Sequence, residues 1–394
     1  MTPVAVTAHG LASAAGIGLP ALAQALGASH SALVPNDWSR VPLPCWIGRV
    51  PGVEAAALPP ALADWDCRAT RLAWLGLQAD GFLDAAGRAR ARHGAARLGL
   101  VLGTSASTLG ATEAAYRRLE PDGGFAPALR RTPLNTVHAL AGFVQQALAI
   151  EGPCLTVSTA CSSSAKAFAV AERWLRLRLA DAVVVAGVDA LCESLLFGFA
   201  ALQLVAAEPC RPFDAGRCGL SVGEAAGYAL VERGEAEFML LGHGESNDAH
   251  HMSSPHPQGR GAERALDAAL ARAGLAAEAV DHLGLHGTAS ASNDEVEAAL
   301  VARRYRADVH ASATKGCTGH AMGAAGIVGA LACRLALCDG LQAGTPGCRR
   351  VDPALGAAFG AQLRREPRRA PARVAASHSF GFGGNNAVLV FGRA

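Results

Sequence analysis

The sequence predicts an α/β protein built from two similar halves, and three observations carry that expectation. Short β-branched or leucine-rich runs alternate with longer stretches of helical periodicity, the order that covers sheets with helices. Leu98-Gly-Leu-Val-Leu-Gly-Thr-Ser-Ala-Ser resembles Leu283-Gly-Leu-His-Gly-Thr-Ala-Ser-Ala-Ser, and Gly103 and Gly287 lie 184 residues apart in a chain of 394. Residues 154–179 form a strand running into an Ala-rich helix with Cys161 at the junction. A second small-residue helix, expected from about Gly319 to Leu337, is its counterpart. The boundary falls at Arg233-Gly234-Glu235 and gives halves of 1–235 and 236–394, with the two small-residue helices buried between sheets.

Taken in order, residues 3–8 read as a first strand and 20–27 as a helix. Pro35, Pro42, Pro44, Pro51, Pro59 and Pro60 make 28–60 irregular. One helix is expected over 67–92, with Arg68 and Arg71 a turn apart. Residues 97–103 form a buried strand, 121–135 a loop with Arg130 and Arg131, and 136–149 a helix. Strands follow at 181–188, 227–232 and 237–243, and the chain closes with strands at 373–377 and 387–391. The most apolar run, Ala321 to Cys333, is broken by Arg334 and is too short to span a bilayer. Its Gly323, Gly326 and Gly329 suggest a buried helix in close backbone contact.

A formal net charge of +2 gives no polyelectrolyte argument for nucleic acid. The chain has only two lysines, Lys166 and Lys315. Its eleven cysteines include no CxxC pair, are odd in number and follow no signal-peptide pattern. A reduced cytoplasm is therefore expected rather than a disulfide framework.

Four places carry chemistry. Cys161 lies at a helix start, where free N–H groups and the helix dipole favour a thiolate nucleophile; the alternative is a small buried cysteine. His286 ends a strand, the edge where α/β proteins place functional groups, or else it is a core histidine. Ser292 and Glu295 suggest a capping box for the helix that follows. Lys315 and His320 flank a glycine turn before the apolar helix. A cation there needs a partner, and Glu297 is the expected one; a solvated lysine is the alternative. Phe380-Gly-Phe-Gly-Gly-Asn-Asn exposes backbone N–H groups suited to an oxyanion hole, with Phe382 as a gate, or forms an ordinary hairpin. A thiol, two histidines and a glycine-rich donor loop suit acyl transfer through a thioester. Metal binding is the rival, but His250, His251 and His256 lack a helix or CxxC context.

These motifs resemble the β-ketoacyl-acyl carrier protein synthases of the elongating Cys-His-His type. The likeness rests on Ser-Thr-Ala-Cys161-Ser-Ser-Ser, His286-Gly-Thr with Asn293-Asp294, Lys315-x4-His320-x2-Gly-Ala-Ala-Gly and Gly381-Phe-Gly-Gly. Arg211-Pro-Phe-Asp and Ser221-Val-Gly-Glu-Ala-Ala-Gly extend it over nearly the whole chain. The resemblance implies the thiolase fold, layered α-β-α-β-α, and a homodimer or a heterodimer with a related synthase or chain-length subunit. It implies an acyltransferase in which Cys161 takes the acyl chain from a carrier protein's phosphopantetheine. His286 and His320 would then support decarboxylative condensation with malonyl-carrier. Lys315 and Glu297 would order the site, Thr288 and Gly383 would support it, and the N–H groups of Cys161 and Phe382 would hold the oxyanion. Neither metal nor nucleotide cofactor is implied.

The sequence departs from the commoner family pattern at His286-Gly-Thr-Ala-Ser, Gly-Gly-Asn385-Asn and Arg217-Cys-Gly-Leu. With Pro257-Gln-Gly, these details look like synthases of bacterial aryl polyene pigments. Arg68, Arg71, Arg130 and Arg131 are the expected dock for an acidic carrier. An acyl pocket would run near Ala106 to Gly110 and the 132–144 segment. Two other readings are a non-catalytic chain-length partner, in which the reactive Cys is usually replaced, and a thiolase, which needs a second reactive Cys.

Overall fold

The computed structural model describes residues 1–130 and 132–394. Its main sheet has five strands from each half. The first half gives β1 (Val4–Ser13), β2 (Leu98–Gly103), β3 (Cys154–Val157), β4 (Ala182–Asp189) and β5 (Ala225–Glu232). The second gives β6 (Phe238–Asn247), β7 (His282–Gly284), β8 (His310–Ser312), β9 (Val374–Gly381) and β10 (Asn385–Arg393). Across the sheet the order is β8-β7-β9-β10-β6-β1-β5-β4-β2-β3, with the short Gly16–Ile17 strand attached to β1.

Read from either edge inward, each half runs third, second, fourth, fifth, first. The outer three strands are parallel and the inner two antiparallel in both halves. The halves meet where β1 pairs with β6 at Val4 opposite Leu240 and Ala5 opposite Met239. One plan is thus used twice. The repeated Gly-Thr turns at Gly103 and Gly287 follow the second strand of each half.

Both faces of the sheet are covered, as its continuously apolar parallel strands require. Every residue of β4 is buried; Val183 and Val185 face the central core, while Val184 and Val188 face an outer one. The central core holds α4 (Ser163–Arg176) and α7 (Ala325–Cys338) between the half-sheets, where Phe168 meets Phe391 edge-on, with centroids 5.8 Å apart, and Ile327 packs over Gly187 and Gly227. The outer layers are α1 (Arg68–Gln78), α2 (Phe82–His93) and α3 (Ala139–Ala147) over the first half, and α5 (Arg260–Ala273) and α6 (Ala291–Arg304) over the second. This is the expected α-β-α-β-α layering. The central helices touch through glycine: a Cβ at Gly326 would lie 2.4 Å from Ala165 N.

Three local expectations are corrected. The helix expected over 67–92 is two helices, broken at Ala79–Gly81 where Asp80 takes a positive φ of 56°. The Asp80 carboxylate accepts the N–H groups of Leu11 (3.2 Å) and Leu19 (3.0 Å), so a tertiary bond outweighs helical periodicity. The second small-residue helix begins at Ala325, not Gly319, because Gly319 and Met322 have φ of 71° and 47°. Ser292 is no cap: α6 starts at Ala291 with Ser290 before it. Among the described residues no helix is long and apolar enough to cross a membrane.

Candidate active site

Cys161 is placed by a tight turn after β3. Ala160 sits at φ 51°, a backbone strain that non-glycine residues rarely carry, and α4 begins two residues after the thiol. Ser163 Oγ holds the turn, accepting Thr159 N–H at 2.9 Å and donating to Ala160 O at 2.6 Å. The thiol is buried, and burial pushes its pKa up to about 11. The Lys315 charge and the N–H groups of Phe382 and Cys161 pull the other way without prevailing. Loss of hydration thus opposes the lowering expected at the helix start and outweighs the Lys315 charge and the two N–H groups, so the resting group is a thiol.

His320 brings its Nε2 to 2.9 Å from Cys161 Sγ. Its backbone is pinned from both sides, donating to Ser221 O at 2.8 Å and accepting Gly223 N–H at 2.9 Å. The Ser221-Val-Gly motif therefore positions the imidazole. His286 lies two residues past β7, its ring edge-on to His320 with centroids 5.4 Å apart. Lys315 Nζ donates to His286 O and stands 3.4 Å from His286 Nδ1. Burial first, then the Lys315 charge, holds both imidazoles well below the ordinary value, so both are neutral.

Neutral imidazoles make the tautomer decisive. An ammonium facing His286 Nδ1 leaves the proton on Nε2. His320 Nδ1 is buried without a partner, and a bare acceptor there is less costly than an orphaned N–H. Both rings thus offer Nε2–H to the space above Cys161. Phe380 and Phe382 wall that space, with Phe199, Thr288 and Ser253 among its other lining residues.

Glu297 does not form the expected ion pair with Lys315. Its oxygens accept His286 N–H and Gly287 N–H, both at 2.8 Å, and it reaches Lys315 only through its charge. Thr288 N–H is held by Asp294 at 3.1 Å. The glycine-rich loop is a hairpin between β9 and β10, and it also serves the thiol, because the Phe382 N–H favours the charged form of Cys161. Gly383 turns it at φ 72° and donates to Met252 O at 2.7 Å. Asn385 gives the hairpin an acceptor for Lys166 Nζ at 3.0 Å.

The expected dock divides. Arg68 is not available: its guanidinium is spent on Glu224, fully buried, and on Glu54. Glu224 in turn accepts Val50 N–H at 2.9 Å and Leu191 N–H at 2.8 Å. Arg71 binds Asp66 and stays a third exposed. Arg130 is exposed and donates to Phe125 O at 2.8 Å. Arg131 lies outside the described residues. A separate cleft of about 650 Å³ includes Ser107, Gly110, Leu134 and Asn135, where the acyl pocket was expected, but is not lined by Cys161, His286 or His320.

Cys161, His286 and His320 offer three donor atoms within 4.8 Å of one another. Lys315 beside His286 opposes a metal cation there. Sequence reasoning missed Asp189, which accepts the N–H groups of Ser105 and Ala106 at 2.8 Å and of Gly323 at 2.6 Å, so it ties the two halves together. A lone carboxylate ending the apolar run Ala182–Val188 was the available signal. It also missed His378, two residues before the Phe380-Gly-Phe motif, and Tyr305, just past the end of α6.

The sequence matches the family descriptions "Beta-ketoacyl synthase, N-terminal domain" over residues 64–237 and "Beta-ketoacyl synthase, C-terminal domain" over 238–348. It is 36% identical over 309 residues to nodulation protein E of Rhizobium meliloti (strain 1021), covering 75% of this chain and 76% of that one. It is 32% identical over 335 residues to 3-oxoacyl-[acyl-carrier-protein] synthase 2 of Vibrio harveyi, covering 80% and 79%. The fold matches the ketosynthase ApeO, solved in complex with its chain length factor ApeC from Xenorhabdus doucetiae. The TM-score is 0.90 at 32% identity, covering 100% of this chain and 98% of that one. With these likenesses and a thiol set against two neutral histidines, the chain belongs to the β-ketoacyl synthase family of acyltransferases.

Proposed function

We propose that this chain is an active β-ketoacyl-acyl carrier protein synthase in which Cys161 carries the growing acyl group. The observation that carries the reading is Cys161 Sγ at 2.9 Å from His320, under the Phe382 N–H. Cys161 attacks the acyl thioester, and its S–C bond forms as the bond to the phosphopantetheine sulfur breaks; the thiol proton goes to that departing sulfur, while His320 Nε2–H donates to the Cys161 sulfur as it takes on charge. The N–H groups of Cys161 and Phe382 hold the tetrahedral oxyanion. Malonyl-carrier then enters. Loss of CO₂ leaves an enolate whose oxygen accepts from Nε2–H of His286 and His320. The carbanion attacks the acyl-Cys161 carbonyl, the new C–C bond forms, and the C–S bond breaks to release the Cys161 thiolate, which takes up one proton from solvent to return to the thiol. Burial, with the Lys315 charge behind it, keeps both histidines neutral, and Lys315 fixes the His286 tautomer. The reaction requires no metal or other cofactor.

The partner is an acidic carrier protein, met through Arg71 and Arg130. Pairing with a second synthase-like chain, as homodimer or heterodimer, is supported by β3, an outer strand of the main sheet with Leu155 exposed, and by exposed Val137, whose neighbour His138 lies 2.8 Å from Thr156 of β3. The ketosynthase–chain length factor likeness favours a heterodimer, and the product class proposed is an aryl polyene or related specialised chain. Eleven free cysteines support a cytoplasmic setting.

The test is the intact mass of the chain after mixing with a short acyl thioester of a carrier protein. An acyl adduct on the wild type, absent in Cys161→Ala and cleared by malonyl-carrier, is expected. Condensation retained by Cys161→Ala would sink the reading.

A further inference from the structure

We propose that His378 is a positioning residue for the condensation half-reaction, acting on His286 through Glu297. The inference rests on the synthase reading above. His378 lies on β9 with its side chain fully buried. Its Nδ1 is 3.0 Å from Glu297 Oε1 and its Nε2 is 2.9 Å from Tyr305 Oη. A carboxylate only accepts, so Nδ1 carries the proton and Nε2 accepts from the phenol. Burial keeps Tyr305 protonated and therefore a donor. The chain Tyr305 to His378 to Glu297 thus has a single orientation.

Glu297 passes that order on. The oxygen that accepts from His378 also accepts His286 N–H, and its other oxygen accepts Gly287 N–H. Gly287 has little room to move: a Cβ there would lie 2.6 Å from Ala313 Cβ, and its φ is 40°. A fully buried carboxylate that loses one of three donors reorients toward the remaining two. The backbone carrying the His286 ring shifts with it. No hydrogen bond among the described residues joins this chain to Cys161 or His320. Loss of His378 therefore reaches the enolate-stabilising imidazole of His286 and spares the thiol and the histidine beside it.

The experiment separates the two half-reactions. Wild type, His378→Leu, His378→Asn and Tyr305→Phe are loaded with hexanoyl-pantetheine thioester, then chased with malonyl-pantetheine thioester, and acyl-Cys161 is followed by intact mass. Loading is expected to be unchanged in all four. Discharge is expected to slow about a hundredfold in His378→Leu, the scale of a 1 Å misplacement. It should recover to within about tenfold of wild type in His378→Asn, whose amide N–H still reaches Glu297. Tyr305→Phe should lose least. If His378→Leu fails to fold, His378→Asn and Tyr305→Phe read the same split. Loading and discharge slowed in equal proportion, or wild-type discharge in every variant, would overturn the proposal alone. A wild-type chain that never loads would overturn the synthase reading and this proposal with it.

Discussion

After β2 the chain gives the N–H groups of Ser105 and Ala106 to a buried aspartate, Asp189. After β7 it gives those of Thr288 and Ala289 to another, Asp294. The turns are the same, but their anchors are not. Asp189 ends a strand and also holds Gly323 from the other half, whereas Asp294 sits on α6 and bonds Phe213 N–H at 2.8 Å. The next segments diverge further. In the first half, a strained turn delivers β3 almost directly into α4, leaving room for one reacting group, Cys161. In the second, the path from β8 to α7 winds through Lys315–Thr318 and the Gly319–Ala324 stretch, long enough to place a lysine and a histidine. A duplicated scaffold supplies a nucleophile from the short connection and proton chemistry from the long one.

That division predicts separable losses. His320→Ala should slow acyl loading of Cys161 by about 10²- to 10⁴-fold, the range for losing a positioned proton donor. His286→Ala should load within a few-fold of wild type but lose malonyl-dependent discharge by a similar factor. Single-turnover mass measurements of loading and discharge decide it. If both variants lose loading equally, the two histidines act as one unit and the comparison breaks.

The sequence made the reacting atoms legible because each sits in a local motif whose spacing survives folding. Cys161, His286, Lys315 and His320 meet as those motifs suggested. What stayed hidden was set by partners distant in sequence. Arg68 looked like a surface cation until Glu224, 156 residues away, was seen to claim it. Glu297 looked like the mate of Lys315, yet its oxygens are taken by backbone N–H groups and His378. The thiol was expected to be acidic because helix position is readable from sequence and burial is not.

Arg68 sharpens the contrast between a dock and a brace. Arg68→Ala leaves Glu224 buried beneath Val50 and Leu191 N–H with its counter-charge removed. It should cost about 3–5 kcal/mol in denaturant unfolding. Arg71→Ala removes a partly exposed pair and should cost about 0–1 kcal/mol while weakening carrier binding. Equal, small costs would return Arg68 to the surface.

The smallest effect isolates the charge that the second half lends to the first. Lys315 lowers the pKa of His286, His320 and Cys161 alike. Lys315→Met should therefore raise all three, moving the histidines back toward their ordinary range and the thiol further above it. In wild type, alkylation of Cys161 by iodoacetamide should keep rising with pH toward about 11 instead of levelling near the usual thiol range. In Lys315→Met the rise should begin at higher pH, with a severalfold slower rate at pH values below it. A plateau near the ordinary thiol range in wild type would mean that the dipole of α4 outweighs burial after all. The short connection would then activate its nucleophile without help from the long one.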